Sequence, residues 1–476
     1  MRKNKKAHKR FYNLIQNPYI IITFLTIIFL SAFLLRLAAK ETQLPSIHSA
    51  AIFSIAIVFL VLAYSLMKKK EKRQILLWIF LISLAFELLI FLAMPLDTSK
   101  WKDARGYHNL AIYTTEKGPL YLIENYHRLV GWNSSFCPDS EERLDKLITN
   151  KDLLALVKDK LRVHDMIDLS DYNFTDYSAD RPGSHPPGWT LTMYLFVLFF
   201  GSSEIVVILA EFALASILCS VVYWFLRKHT DFKTALFLSF LFILTPGFVF
   251  YSSMPLADVP ISIYIIVSIY FFSELMKSNK TSHLLIASIF FSIALFTKFV
   301  LLFFYLLFLI ITLIKKGRMK HFILFSVISM APIILLSIFG YYYFLNAVSS
   351  MVFASCAPDL AGAPGWLYFI THLPKEVLVL FSIPVLYMIS ISTLDILRKK
   401  RGVQEKIMLA YLLCFFVFGI VLAMSVSRLL FMFSPLLLML AIGPAKKNLS
   451  PRFTYFCIAI SSIHLFIFLI LNILNL

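Results

Sequence analysis

The chain alternates between long apolar runs and short clusters of basic residues. Apolar runs of about 20 residues are long enough to cross a bilayer core as helices. Lys and Arg that flank membrane spans stay in the cytoplasm, so the pattern predicts that the basic clusters lie inside. Seven such clusters hold most of the 45 Lys and Arg residues, at 2–10, 68–73, 227–233, 277–280, 315–320, 398–406 and 446–452.

This assignment predicts an all-α polytopic membrane protein with about thirteen transmembrane helices, the N-terminus inside and the C-terminus outside. The predicted spans are 19–38, 47–67, 75–95, 204–226, 233–252, 259–276, 283–297, 299–315, 321–344, 375–396, 407–425, 429–444 and 453–474. The chain then divides into an N-terminal transmembrane hairpin, a central module with an outer loop at about 97–188, and a C-terminal transmembrane helix, with bounds 1–74, 75–445 and 446–476.

One apolar run, 189–200, does not fit this series. It has only about a dozen residues, which is short for a span and typical of a re-entrant or interfacial helix. A full crossing there would place the clusters 227–233 and 277–280 outside. We therefore predict that this run stays on the outer face; the alternative is a short span beside a tilted neighbour.

The predicted outer loop, 97–188, differs in kind from the rest of the chain. It holds more than half of the 27 acidic residues. Between residues 141 and 163, charged and apolar side chains alternate at helical spacing. This spacing predicts amphipathic helices that lie on the membrane surface or pack on the helix bundle.

Composition limits the classes of partner that the chain is expected to bind. Hydrophobic residues make up 59% of the chain and charged residues 15%, whereas soluble domains carry about a quarter charged residues. The formal net charge of +18 would suggest nucleic acid for a soluble protein, but the positive-inside rule explains it here. Membrane lipids are therefore the expected partners, and nucleic acid is not.

The five cysteines are too few for a disulfide scaffold. Cys219, Cys414 and Cys457 lie in apolar runs and are interpreted as small core residues. Cys137 and Cys356 fall in predicted outer loops, where an oxidising compartment would permit a disulfide. Two unrelated free thiols are the alternative.

Three outer segments contain residues suited to chemistry. Asp103 lies just past the third span, where a carboxylate would serve as a general base or a metal ligand; a solvated loop acid is the alternative. His185 lies in a proline-rich turn and would donate to a phosphate oxygen, unless it only begins a helix. Asp258 ends an outer turn and opens the next helix, where it would be catalytic or would cap the first turn.

Two isolated cations also lie at predicted outer turns. Lys298 and Arg428 interrupt apolar stretches, where a basic residue is costly unless it pairs, contacts phosphate or reaches water. Together they predict an anion at the outer face, for which a lipid phosphate is the natural candidate; snorkelling to lipid headgroups is the alternative. Glu87 and Glu211, inside predicted spans, are functional or pair with these cations.

Four motifs occur in a fixed order along the chain: Asp103-Ala104-Arg105-Gly106-Tyr107-His108 followed by Ala111 and Gly118; His185-Pro186-Pro187-Gly188; Ser253 to Asp258; and Thr297-Lys298 with Arg428 and Pro435. This ordered set, over residues 75–445, resembles the GT-C class of membrane glycosyltransferases. The resemblance is to the branch that contains protein O-mannosyltransferases and the lipid A aminoarabinose transferase.

The resemblance implies an enzyme of the plasma membrane with an extracytoplasmic active site. It would move a sugar, with inversion, from a polyprenyl-phosphate donor to a lipid, glycan or protein acceptor. Asp103 would be the general base, and the residues that bind substrate or lipid phosphate would be Tyr107, His108, His185, Asp258, Lys298 and Arg428.

The sequence departs from the family pattern at two site positions. Ala104 stands where many members carry a second acid, so a divalent metal is possible but not favoured, and no other cofactor is expected. Glu211 stands where many members carry Arg. The alternative function is a lipid or small-molecule transporter or flippase, which more often shows paired repeats with broken helices; the sequence shows no such repeat.

Overall fold

The structure of the protein is a computed structural model. It describes residues 74–93, 102–123, 145–146, 149–152, 154–155, 186–316, 318–337, 365–398, 402–422 and 430–473. The predicted spans 19–38 and 47–67, most of the amphipathic stretch 141–163, and both Cys137 and Cys356 lie outside these residues.

The described residues form α-helices and short 3-10 turns. The α-helices are α1 Ile75–Ala93, α2 Lys102–Lys117, α3 Gly188–Phe200, α4 Glu204–Arg227, α5 Phe232–Ile243, α6 Pro246–Ser252, α7 Asp258–Ser278, α8 Thr281–Thr297, α9 Phe304–Ile314, α10 Met319–Ser337, α11 Gly365–Leu380, α12 Ile383–Arg398, α13 Val403–Leu422, α14 Ser434–Asn448 and α15 Pro451–Ile473. Two 3-10 turns, Phe299–Phe303 and Phe431–Phe433, lead into α9 and α14.

Within the described part, five helices are long and apolar enough to cross a membrane, and seven if each of two bent pairs counts as one span. The five lie in α4, α7, α10, α13 and α15. The chain is thus a multi-pass membrane protein, and the part that the structure describes is all-helical. The predicted spans 204–226, 259–276 and 283–297 closely match α4, α7 and α8.

Two predicted spans are wrong as single straight helices. The predicted span 233–252 bends by 62° between α5 and α6. At this bend the Thr245 hydroxyl accepts a hydrogen bond from the Phe248 amide, and Pro246 starts α6, because proline suits the first turn, where its missing N–H is not needed. The predicted span 375–396 bends by 118° between α11 and α12.

Helix α7 lies at the centre of the described bundle, where it packs against α8 and α4. An aromatic cluster joins α7 to its neighbours. The Phe308 ring lies 4.9 Å from Phe272, 4.9 Å from Phe291 and 4.5 Å from Phe325, measured between ring centroids. These rings come from α9, α7, α8 and α10, so one interlocked core fixes the α7–α8 hairpin.

Helices α2 and α3 pack against each other beside this bundle. One face of α3 is buried through Trp189, Met193 and Val197, whereas Phe199 and Phe200 at its far end are 74% and 70% exposed. Its 13 residues rise only about 20 Å, against a bilayer core of about 30 Å. The helix is therefore too short for an upright crossing.

Candidate active site

The motifs that the sequence singles out are brought together around the turn between α6 and α7. The indole Nε1 of Trp189, at the start of α3, donates to the carbonyl oxygen of Pro255 in that turn at 3.0 Å. Ala104, in the first turn of α2, packs with Met254 and Leu256 of the same turn. The starts of α2 and α3 therefore both rest on one segment, which ends at Asp258.

A third contact brings the end of α8 to the start of α3. A Cβ added at Gly188 would lie 2.6 Å from the carbonyl oxygen of Phe296 and 2.8 Å from Oγ1 of Thr297. Only glycine fits this approach, because no side chain has room against the main chain of α8. The glycine of the His-Pro-Pro-Gly motif thus holds α3 directly against the Thr297-Lys298 motif.

The starts of α2, α3 and α7 and the end of α8 thus meet at one junction. Asp258 and Lys298 contact each other there. The Nζ of Lys298 donates to Oδ1 of Asp258 at 2.6 Å, and each side chain is only 1% exposed. Asp258 is the first residue of α7, whose N-terminus favours a negative charge. Lys298 lies outside any helix, in an extended conformation between α8 and the following 3-10 turn. Its carboxylate partner is thus Asp258 rather than Glu87 or Glu211.

Two further carboxyl groups are buried in the neighbouring helices. Oε2 of Glu87, on α1, accepts a hydrogen bond from the Ser252 hydroxyl at 2.7 Å. Glu211, on α4, is fully buried, and neither of its side-chain oxygens has a hydrogen-bond partner among the described residues. It lies close enough to Asp258 and Glu87 to interact with their charges. The junction therefore carries more acidic than basic groups among its described residues.

Tyr107 and His108, predicted to bind substrate, have structural contacts. Tyr107 is fully buried in the main apolar core. The Nε2 of His108 lies 3.0 Å from the carbonyl oxygen of Ser202, so it carries the proton and donates, which ties α2 to the turn between α3 and α4. Burial lowers the pKa of His108, although the hydrogen bond to Ser202 and the charge of Glu204 act to raise it. The histidine is therefore neutral at pH 7.

The structure describes only part of the remaining predicted site residues. The backbone of Asp103 lies in the first turn of α2, and its side chain is not among the described ones. His185 and Arg428 lie outside the described residues, so a shared phosphate site for Lys298 and Arg428 stays a prediction. The described residues that follow position 428 lie near the junction, because the ring centroids of Phe431 and of Tyr251 in α6 are 5.1 Å apart.

Two other expectations concern cysteines and metals. Cys219, Cys414 and Cys457 are free and buried, which confirms their interpretation as core residues. Among the residues that the structure describes, no group of three or more His, Cys, Asp or Glu side chains is placed to hold a metal ion.

Comparison with known proteins shows a family similarity over part of the chain. Residues 184–342 match the family described as dolichyl-phosphate-mannose-protein mannosyltransferase. This family consists of membrane glycosyltransferases, so the match agrees with the predicted resemblance to the GT-C class. The match extends over only part of the chain, and it confirms the predicted resemblance to this family. The matched segment begins at the His-Pro-Pro-Gly motif and includes Asp258 and Lys298, but neither Asp103 nor Arg428.

Among the solved structures that are similar to the chain is the crystal structure of ArnT from Cupriavidus metallidurans bound to undecaprenyl phosphate. The two are 17% identical with a TM-score of 0.41, over 56% of this chain and 51% of that one. The similarity thus spans about half of ArnT. No curated protein sequence matches the chain significantly.

Proposed function

We propose that the protein transfers a sugar from a polyprenyl-phosphate donor to a lipid, glycan or protein acceptor at the outer face of the plasma membrane. The observation that supports this most is the junction of α2, α3, α7 and α8. Motifs spread over about 200 residues of sequence meet there around a buried lysine, and three of them fall in the segment that matches the mannosyltransferase family.

In the proposed reaction, Asp103 accepts the proton of the acceptor hydroxyl as general base. The acceptor oxygen attacks the anomeric carbon from the side opposite the donor phosphate, so the configuration inverts. The bond from that carbon to the phosphate oxygen breaks, and polyprenyl phosphate leaves with the bonding electrons. Cations at the site stabilise its developing charge, and we assign this role to Lys298, Arg428 and His185.

One feature of this structure also occurs in transporters, which represent the alternative function. The two bent helix pairs are of the kind that transporters use at their binding sites. The match to a mannosyltransferase family favours the transferase, and so does the arrangement of polar groups at one end of α7 and α8. We therefore place the reaction, and the donor's lipid phosphate, at that end of the bundle.

Asp103→Asn tests the proposal. We expect the purified variant to remain folded while turnover with a polyprenyl-phosphate sugar falls by at least ~10²-fold, the low end for a general base. Transfer is followed by mass spectrometry of lipid-linked sugars and products, with a panel of donor sugars. Asp152→Asn, an acid elsewhere in the predicted outer loop, is the matched control and should keep full activity. Near-normal turnover of Asp103→Asn would remove Asp103 from the mechanism.

A further inference from the structure

The ion pair between Asp258 and Lys298 needs a reason beyond stability. Removing two charges from water costs several kcal/mol for each ion, and a well-packed apolar pair in the same place is often as stable or more so. No other lysine or arginine of the described residues is buried in this way. The pair also lies where α2, α3 and α8 meet, which is where the proposed function places the donor phosphate.

We propose that Asp258 is an exchangeable counter-ion for Lys298. The carboxylate neutralises the lysine while the donor is absent, and the donor phosphate displaces it from Nζ when the donor binds. Asp258 is then a positioning residue that acts through Lys298. This inference rests on the proposed function, because it assigns the phosphate of a polyprenyl-phosphate donor to Lys298.

The placement of each partner suits such an exchange. Lys298 is the flexible one, because it lies in the break between α8 and the 3-10 turn and carries its charge on a long side chain. Its ammonium has three N–H donors, so it can pass from one acceptor to another without losing every hydrogen bond. Asp258 is fixed at the start of α7, and the positive end of that helix continues to stabilise the carboxylate after the lysine has turned.

The surrounding charge gives the effect its sign. The charge next to Lys298 is that of the Asp258 carboxylate, which contacts Nζ at 2.6 Å and would repel a phosphate that approaches the same atom. Removing the charge of Asp258 should therefore strengthen phosphate binding, and this gain should need Lys298. If the ion pair only stabilises the fold, the opposite result is expected, because losing either partner would disturb the site and weaken phosphate binding.

The test measures binding and involves no transfer. The full chain is reconstituted in phosphatidylcholine nanodiscs, and the dissociation constant for farnesyl phosphate is measured for wild type, Asp258→Asn, Lys298→Gln and the double variant. We expect Asp258→Asn to bind at least about tenfold more tightly, given measured coupling between close charge pairs. Lys298→Gln should bind more weakly, and adding Asp258→Asn to it should give a much smaller gain. Glu274→Gln, which neutralises the carboxylate of the exposed ion pair near the other end of α7, is the matched control and should bind like wild type.

Two probes separate charge from the apolar chain. Farnesol lacks the phosphate and should bind all variants alike, and inorganic phosphate should compete with farnesyl phosphate only weakly if the lipid tail contributes. Equal or weaker binding of farnesyl phosphate by a folded Asp258→Asn variant overturns the proposal. So does a gain of the same size in the Lys298→Gln background.

Asp258→Asn removes the negative charge that contacts a buried lysine, so a second measurement covers a variant that is too unstable to purify. In that case the proposal expects farnesyl phosphate, and not farnesol, to restore its folded yield and melting temperature; failure of that rescue is also contrary to the proposal. Because transfer is not measured, the outcome is independent of the Asp103→Asn experiment. Loss of turnover in Asp103→Asn without tighter binding in Asp258→Asn would leave the proposed function standing and remove only the counter-ion.

Discussion

Helix α7 carries an ion pair at each end, and the two pairs have the same length. At its start Lys298 contacts Asp258 at 2.6 Å, and near its end Lys277 contacts Glu274 at 2.6 Å. The first pair joins α7 to the segment that follows α8 and is 1% exposed on both sides; the second lies within α7, and its lysine is 60% exposed. The distance is therefore uninformative, and burial decides how much each pair matters.

The surroundings of the two ends differ as well. The start of α7 lies among carboxyl groups on α1 and α4, whereas its end lies among cations. There, burial followed by the charges of Lys277 and Lys315 lowers the pKa of His229 to about 4, so this histidine is neutral at pH 7. The cationic end is the one that the positive-inside rule assigns to the cytoplasm.

Labelling from one side of the membrane gives the largest expected contrast, because the result is nearly all or none. In a background without the native cysteines, Ser203→Cys, at the turn between α3 and α4, should react with an impermeant maleimide in intact cells. Thr230→Cys and Gly402→Cys should not react until the cells are permeabilised. Strong labelling at position 230 from outside would reverse the assignment of the two ends and remove the proposed site from the outer face.

Removing one partner from each pair should separate them by stability. Asp258→Ala removes the carboxylate that contacts the buried Lys298 ammonium and should destabilise the protein by about 3–5 kcal/mol. Lys277→Ala, the matched change at the exposed pair, should cost less than about 1 kcal/mol and less still at high salt. Thermal unfolding of the two purified variants beside wild type measures the difference. Similar losses for both variants would show that burial does not govern these pairs.

A smaller effect is expected from Gly188→Ala, which forces α3 away from the end of α8. Its Cβ would lie 2.6 Å from the Phe296 carbonyl oxygen, and overpacking of this kind costs about 1–3 kcal/mol. Gly443→Ala in α14 is the control, because nothing lies within 4 Å of its Cβ; a helical alanine there should be neutral or stabilise by about 0.5–1 kcal/mol. Equal melting temperatures for the two variants would show that α3 can move away from the end of α8 without a loss of stability.

Sequence reasoning performed well where a long apolar run ends in charged residues. The bounds of α4, α7 and α8 lie within two residues of the predicted spans. It failed where a run bends without losing its apolar character. At 245–246 a proline marks the bend, yet hydropathy continues through it. At 381–382 a single serine is the polar signal, and the Ser461 hydroxyl from α15 donates to it across the bundle.

The candidate site shows the same limit. Asp258 and Lys298 were identified because each places a charge at the end of an apolar run, but their pairing with one another was missed. The signal was present in the topology: one residue opens α7, the other follows α8, and two antiparallel helices bring these ends together. The hydrogen bond between Trp189 and Pro255 and the close approach at Gly188 depend on tertiary packing, which hydropathy does not record.

The hydrogen bond from Trp189 to Pro255 can be lost by substitution of its donor residue but not by substitution of its acceptor residue. Its acceptor is a main-chain carbonyl, which every amino acid at position 255 would supply. Its donor is an indole N–H, which no other side chain presents from a ring of that size. Position 255 is thus free to drift in evolution as far as this bond is concerned. A single base change at the codon for 189 removes it and leaves a buried oxygen without its donor.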